Sequence, residues 1–298
     1  MVSVGSARVA SRPITAIDKR SQLTPAELLH EYVRPGIPVV LTDAAAHWPA
    51  MGKLTPDFFK ATYGHLTREI GGQTYTVTEV VDLLQHPVPG QPVPYPFNLD
   101  VEACFPELLA DMHPPVNLGL PNRAHHPLLS KLLLLGTVPY EIFLGGRGSR
   151  FPYLHYDALC MHTLITQLYG AKDFILYAPE QAQYLYPRAD NPKVSEVDVF
   201  NPDYARHPLF RHATPIRVTV EEGESLWFPT QWWHTTEING PCISMGQIYL
   251  NESNWDDFVA DNFASRRRRY PVLARAMRTY ARALGRVMRA QEKKAARR

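Results

Sequence analysis

The half of the chain after residue 138 consists of short β-branched and aromatic runs separated by Gly, Pro and Asn. Runs of about four to eight such residues, bounded by turn residues, are typical of β-strands. Because no long helical stretch lies between them, the crossovers of a parallel sheet are missing, and an antiparallel sandwich or barrel is favoured. The seven predicted strands lie in YEIFLGG, PYLHYDAL, MHTLITQLYG, KDFILYAP, IRVTVEEG, ESLWFPT and CISMGQIYL.

Helical signals flank this β-rich region. Thr24 before Pro25, and Thr55 before Pro56, are N-cap residues followed by proline at the first helical position. The fold class predicted is therefore mainly β with helical additions: a barrel core, an N-terminal α/β decoration and C-terminal helices. The boundaries we predict are a flexible N-terminus over 1–14, a core domain over 15–252 and a basic helical extension over 253–298.

The C-terminal extension carries a strong positive charge. The segment from Arg266 to Arg298 holds 13 of the 31 Lys and Arg residues and a single acid, Glu292, so the rest of the chain is acidic. An acidic body or a second copy of the chain suits this helix better than nucleic acid, which we do not expect as a partner. A homodimer through the C-terminal helices is the candidate assembly. The apolar residues at helical spacing are Val272, Leu273, Ala276, Tyr280, Leu284, Val287 and Met288.

Composition limits the compartment. No apolar run approaches the roughly 18 residues that cross a bilayer, and the N-terminal residues lack the apolar core of a secretory signal. The three cysteines, Cys104, Cys160 and Cys242, are widely spaced and form no CxxC pair. That spacing argues against a disulfide framework and a cysteine-ligated zinc site. We expect a soluble, cytoplasmic protein with reduced thiols and no membrane partner.

A histidine and an aspartate two residues apart are the candidate metal ligands. In a strand, His155 and Asp157 point to the same face. His234, predicted at the end of a later strand, is the third candidate. Two imidazoles and one carboxylate form the facial triad of non-haem Fe(II) sites, although zinc also binds such sets. The pair alone is a weak signal in a chain of 12 histidines, and a surface strand with a salt-bridged aspartate is the alternative.

Lys172 is the candidate anion-binding residue. It lies in the apolar run YGAKDFILYAP. A buried lysine requires an anionic partner, which the carboxylate of a co-substrate would supply. The alternative is a lysine at the start of a strand with its ammonium group in water.

The order of these segments resembles a known family. HYD, TLITQLYGAKDFILYAPEQAQYLYP, VFNPDYARHPLF, EEGESLWFPTQWWHTTEI and ISMGQIY follow one another as in the JmjC and cupin-like Fe(II)/2-oxoglutarate oxygenases. The chain is most similar to the branch of the asparaginyl hydroxylase that acts on hypoxia-inducible factor. The resemblance covers about residues 15 to 250 and implies a double-stranded β-helix, or jelly roll, as the core of the 15–252 domain.

The resemblance also implies roles for single residues. His155, Asp157 and His234 match the metal ligands of the family, and Lys172 matches the lysine that binds the far carboxylate of 2-oxoglutarate. The implied cofactors are Fe(II), 2-oxoglutarate as co-substrate and O2. The further candidates for contacts with 2-oxoglutarate are Thr163, Tyr153, Tyr95 and Ser244.

The chain departs from the family pattern beside the metal ligands. Met161, His162 and Thr163 stand where the branch often has an asparagine, and Pro152 stands where it often has a threonine. These changes spare the metal ligands and alter the walls of the site. We expect an oxygenase that hydroxylates a protein or peptide side chain and forms succinate and CO2. A small-molecule substrate is the first alternative, and a non-catalytic cupin-fold binding protein is the second.

Overall fold

The computed structural model describes residues 14–296 of the 298-residue chain. The described strands are β1 (Asp18–Arg20), β2 (Val39–Leu41), β3 (Thr67–Ile70), β4 (Gln73–Thr76), β5 (Phe97–Asp100), β6 (Tyr140–Gly145), β7 (His162–Tyr169), β8 (Lys172–Tyr177), β9 (Ile216–Val220), β10 (Ser225–Phe228), β11 (Trp233–Glu237) and β12 (Cys242–Tyr249). The described α-helices are α1 (Pro25–Leu28), α2 (Pro56–Tyr63), α3 (Val77–Gln85), α4 (Val101–Cys104), α5 (Lys131–Leu134), α6 (Trp255–Arg266) and α7 (Pro271–Ala295). The predicted flexible N-terminus, 1–14, lies outside the described residues apart from Ile14.

Two sheets form the core. The larger has seven strands in the order β1-β2-β10-β7-β12-β6-β5, and the smaller has the order β11-β8-β9. All neighbours are antiparallel except β1 and β2. Ile165 and Leu226 of the larger sheet pack in one cluster with Phe174 and Leu176 of the smaller. The two sheets therefore share an apolar interior, and the predicted mainly β class with helical additions is confirmed.

Most of the predicted strands are present, and PYLHYDAL is the exception. Its prediction as a strand is wrong: in this segment only His155 pairs, through single bridges to Val194 and His234. Soon after Asp157 the backbone turns, because Leu159 and Cys160 have φ of 60° and 49°, values that a strand does not allow. His234 was predicted at the end of a strand and is instead the second residue of β11.

The N-terminal elements cover one end of the larger sheet. Phe59 of α2 and Val80 and Val81 of α3 pack against Ile142 and Leu144 of β6. Thr55 caps α2 by accepting a hydrogen bond from the Phe58 amide, as the Thr-Pro pattern predicts. The packing holds β6 from its outer side, so its other face is directed towards the interior between the sheets.

The C-terminal helices pack against the body of the protein. Met277, Leu284 and Met288 of α7 join Leu159 and Met161 in one buried cluster. The predicted apolar stripe is thus only partly covered. Its exposed members are Val272, Leu273, Ala276, Tyr280 and Val287.

Among residues 14–296, no helix combines the length and apolar character needed to cross a membrane.

A buried ion pair links α7 to the rest of the protein. Arg123 Nε donates a hydrogen bond to Glu292 Oε1 at 2.7 Å. Arg123 is almost completely buried, so this contact anchors the end of α7.

Candidate metal centre

Three side chains that are separated in the sequence meet between the two sheets. His155, Asp157 and His234 each offer a ligand atom within 4.8 Å of the others. Asp157 Oδ1 lies 3.8 Å from His155 Nε2 and 3.9 Å from His234 Nε2. A single ion can therefore contact all three atoms.

The backbone brings the two histidines together. The His155 amide donates to the His234 carbonyl at 3.1 Å, and the His234 amide donates back to the His155 carbonyl at 2.7 Å. This pair of hydrogen bonds places the two residues opposite each other across antiparallel segments, with ring centroids 4.3 Å apart. Asp157 follows on the same face as His155 and ends the extended segment.

Aromatic contacts and carbonyl groups orient the imidazoles. Phe151 stacks on the His155 ring at 4.4 Å, and Phe228 lies 4.6 Å from the His234 ring. His234 Nδ1 lies 3.0 Å from the Trp232 carbonyl and His155 Nδ1 lies 3.4 Å from the Tyr153 carbonyl. A carbonyl only accepts hydrogen bonds, so each Nδ1 carries the proton and each Nε2 is free to bind a metal.

The protonation state of His155 also suits a ligand. Burial, together with the neighbouring His234 ring, lowers the pKa of His155 to about 3. The imidazole is therefore neutral at physiological pH, and a metal-binding imidazole must be neutral. Two imidazoles and one carboxylate, with no sulfur ligand, fit the donor set of non-haem Fe(II).

Thr163 contacts one of the candidate metal ligands, Asp157. Its hydroxyl donates to Asp157 Oδ2, the oxygen on the far side of the carboxylate from the two histidines. This hydrogen bond fixes the orientation of the Asp157 carboxylate, with Oδ1 facing the two imidazole rings. Thr163 also lines the cavity described below, and its predicted contact with 2-oxoglutarate stays a prediction.

Thr163→Val is expected to weaken Mn(II) binding by about 10- to 100-fold, since loss of a hydrogen bond that orients a metal ligand has that effect. Mn(II) titration followed by water proton relaxation measures the affinity. Thr219→Val is the matched control, because Thr219 donates to Asp173 on the surface. Equal affinities for wild type and Thr163→Val would rule out this positioning role.

The metal centre opens into a cavity of about 630 Å³. Lys172 is in the same cavity and is only 3% exposed. Its Nζ donates to Ser244 Oγ and, at 3.2 Å, to Tyr95 Oη. Among the described residues no carboxylate lies within salt-bridge distance of Lys172. A buried ammonium group facing a cavity without an acid partner is suited to binding a ligand anion.

The remaining predicted residues lie around this cavity. Tyr95 and Ser244 contact Lys172, as above, and Tyr153 is 43% exposed with its ring 5.3 Å from that of His155. His162 lies elsewhere: it is buried between Ser253 and the Thr230 amide, at 2.9 and 3.0 Å. The structure thus places the predicted metal ligands together with Lys172, Thr163, Tyr153 and Tyr95 in the wall of one cavity, with Ser244 buried behind Lys172 and His162 apart from them.

Sequence reasoning missed several polar residues of the cavity wall, among them Thr236, Glu141 and Asn98. Thr236 follows His234 by two residues on β11, and its buried hydroxyl has no hydrogen-bond partner. Glu141 and Asn98 lie on β6 and β5 and contact each other. Alternation along β11 could have indicated Thr236. No sequence signal pairs Asn98 with Glu141.

The fold and the site together define a class, the β-barrel proteins that hold a metal ion with two histidines and one carboxylate. Within that class the chain belongs to the cupin-like domain family, whose model matches residues 72–254. This match includes all three metal ligands and Lys172. The jelly-roll architecture implied by the resemblance is confirmed.

Several curated proteins are similar to this chain, and two of the three described here carry JMJ names. The chain is 28% identical to the lysine-specific demethylase JMJ30 of Arabidopsis thaliana over 256 residues, which are 80% of this chain and 55% of the relative. It is 26% identical to the bifunctional peptidase and (3S)-lysyl hydroxylase JMJD7 of Homo sapiens over 260 residues, 76% of this chain and 81% of the relative. It is 31% identical to the tRNA wybutosine-synthesizing protein 5 of Homo sapiens over 136 residues, 43% of this chain and 41% of the relative. The chain spans about half the length of the Arabidopsis relative.

Proposed function

We propose that the protein is an Fe(II)- and 2-oxoglutarate-dependent oxygenase that hydroxylates a protein or peptide side chain and forms succinate and CO2. The observation that carries the proposal is the shared cavity of about 630 Å³, which holds His155, Asp157 and His234 together with the buried ammonium group of Lys172. A metal site alone serves many purposes. A metal site and an unpaired buried cation in one cavity suit a metal-bound organic anion.

Different side chains of the cavity would bind the iron and the co-substrate. His155, Asp157 and His234 would hold the iron, and Lys172, with Ser244 and Tyr95, would bind the far carboxylate of 2-oxoglutarate. Bound Fe(II) with 2-oxoglutarate and O2 supplies the oxidising chemistry. The protein's part is to hold the reacting groups in line and to exclude water.

Aromatic side chains make the region around the ligands apolar. Phe151 and Phe228 cover the two imidazole rings, and Phe143 lies 5.4 Å from Lys172 Nζ. A low-polarity wall strengthens the attraction between Lys172 and a carboxylate. These phenylalanine rings would also separate the metal from more easily oxidised side chains of the protein.

The relatives support a macromolecular substrate. Two of them are named for action on lysine or lysyl residues and one for tRNA modification. A protein side chain is the substrate we propose, and a small molecule is the alternative. The closer likeness to the asparaginyl hydroxylase branch, the cytoplasmic location, the absence of a nucleic-acid partner and the homodimer through α7 stay predictions. The exposed apolar residues of α7 support the homodimer.

The test is anaerobic spectroscopy followed by turnover. Purified protein with Fe(II) and 2-oxoglutarate should develop a visible charge-transfer band, and addition of O2 should yield succinate. A cell lysate supplied with heavy oxygen gas should then contain a peptide that has gained one heavy oxygen atom, measured by mass spectrometry. The label on a metabolite would favour the small-molecule alternative. Absence of both the band and succinate would contradict the proposal.

A further inference from the structure

The cavity wall also carries acidic side chains, Glu141 on β6 and Asp100, its register partner on β5. Glu141 lies two positions before Phe143, so both side chains are on the face of the strand that lines the cavity. Phe143 lies beside Lys172 Nζ. Along this face of β6, Phe143 is therefore next to the ammonium group of Lys172, and Glu141 is one side chain further away.

Asn98 holds the Glu141 carboxylate. The two residues lie on neighbouring strands, and Asn98 Nδ2 donates to Glu141 Oε1 at 2.6 Å. An ionised carboxylate only accepts hydrogen bonds, so the amide nitrogen of Asn98 must face it. The Asn98 oxygen then faces away from Glu141, is buried and has no partner among the described residues. Glu141 therefore presents an acceptor group to the cavity, and the Asn98 oxygen is a second, buried acceptor on the neighbouring strand.

No protein cation neutralises Glu141. Among residues 14–296, no Lys, Arg or His nitrogen lies within salt-bridge distance of its carboxylate. Burial raises the pKa of Glu141, and the Asp157 and Asp100 carboxylates add to the rise, whereas the Asn98 hydrogen bond and Arg68 lower the pKa. A half-buried carboxylate without a cation is unfavourable, and such groups are normally paired.

The co-substrate cannot be the cationic partner of Glu141. 2-Oxoglutarate is a dianion, and the group placed to bind it is Lys172. A second anion beside Glu141 would be repelled, whereas a group with N–H donors and positive charge would pair with the Glu141 carboxylate.

We propose that Glu141, held by Asn98, is the specificity-determining residue that receives a positively charged nitrogen of the substrate, as in a lysine or arginine side chain. This inference rests on the proposed function in taking the cavity as the substrate site. It assigns the substrate a basic side chain and predicts that a neutral side chain of the same length binds poorly.

Binding of small side-chain analogues tests the site without turnover. Saturation-transfer NMR would compare n-butylammonium and n-propylguanidinium with neutral n-pentanol on the purified protein. We expect the cations to bind at least about tenfold more tightly than n-pentanol, because a charge-assisted hydrogen bond in a partly buried site has this effect. The comparison of the two cations distinguishes a lysine-type from an arginine-type substrate.

Glu141→Gln should remove most of this preference and Asn98→Ala part of it. Glu102→Gln is the matched control, since Glu102 is a nearby exposed acid on α4 that does not line the cavity. The Glu102→Gln variant should bind n-butylammonium like wild type. Circular dichroism and thermal unfolding of each variant show whether it is folded.

Three results would overturn the inference. The first is equal binding of n-butylammonium and n-pentanol to wild type, and the second is unchanged cation binding in folded Glu141→Gln. The third is cation binding that appears only in Arg68→Gln, which would mean that Arg68, an exposed residue of the same cavity, occupies the acidic site itself. Mn(II) titration of the same samples tests the metal centre separately, so loss of metal binding with retained Glu141-dependent cation binding would contradict the proposed function alone.

Discussion

Asp157→Ala is expected to abolish metal binding and, with it, formation of succinate from 2-oxoglutarate. Asp157 supplies the only carboxylate among the three ligand groups, and its Oδ1 lies 3.8 and 3.9 Å from the two imidazole nitrogens. Removing it leaves two neutral imidazoles, so the affinity for Mn(II) should fall by more than the roughly 100-fold that loss of an outer-shell contact costs. Water proton relaxation measures binding, and chromatography measures succinate.

The fold should survive this substitution. Asp157 is partly exposed, and its described side-chain contacts are with Thr163 and, more distantly, the two imidazoles. Asp190→Ala is the matched control, because Asp190 forms a surface ion pair with Arg188 and lies outside the cavity. Mn(II) affinity of folded Asp157→Ala within about threefold of the control would show that the carboxylate is not a ligand, since a lost ligand costs far more.

The β-rich core was predictable because its signal is local. Each strand from β6 to β12 is a short run of apolar and β-branched residues between turn residues, and that pattern does not depend on distant parts of the chain. The C-terminal helix was predictable for the same reason. Which of its apolar residues are covered was not, because that depends on the surface it packs against.

The metal ligands were predictable by type and spacing, and their backbone was not. His155 and Asp157 were expected on a regular strand, whereas single bridges hold His155, and the left-handed residues Leu159 and Cys160 turn the chain after Asp157. The two-residue spacing places the side chains on one face in either case, because both conformations are extended at that point. The three predicted ligand residues therefore come together although the predicted strand is wrong, and their role as a metal site stays a prediction.

The acidic end of the cavity was beyond sequence reasoning. Asn98 and Glu141 are 43 positions apart and meet only because β5 pairs with β6 in one register. A shift of one residue would direct Glu141 to the opposite face of the sheet. Register in a sheet is set by packing of the whole core, which single-residue patterns do not contain.

Lys172→Met should raise the free energy of unfolding of the free protein and lower its affinity for 2-oxoglutarate. In the free protein Lys172 is a buried cation whose described partners are the neutral hydroxyls of Ser244 and Tyr95. An apolar side chain of similar length removes that burial cost, so the free energy of unfolding should rise by about 1 kcal/mol. The variant should bind 2-oxoglutarate about 10- to 100-fold more weakly, since a charge-assisted hydrogen bond is lost.

Urea unfolding of the metal-free protein measures the stability, and the KM for 2-oxoglutarate measures binding. Mn(II) affinity should be unchanged, because Lys172 does not contact a metal ligand. Lys60→Met is the matched control, because Lys60 forms a surface ion pair with Asp82. This substitution should change the free energy of unfolding by less than about 1 kcal/mol and should not change the KM for 2-oxoglutarate. A KM for Lys172→Met equal to that of the control would show that the buried ammonium group does not bind the co-substrate. A marked loss of stability would instead make Lys172 a structural residue, held by Ser244 and Tyr95 for the sake of the fold.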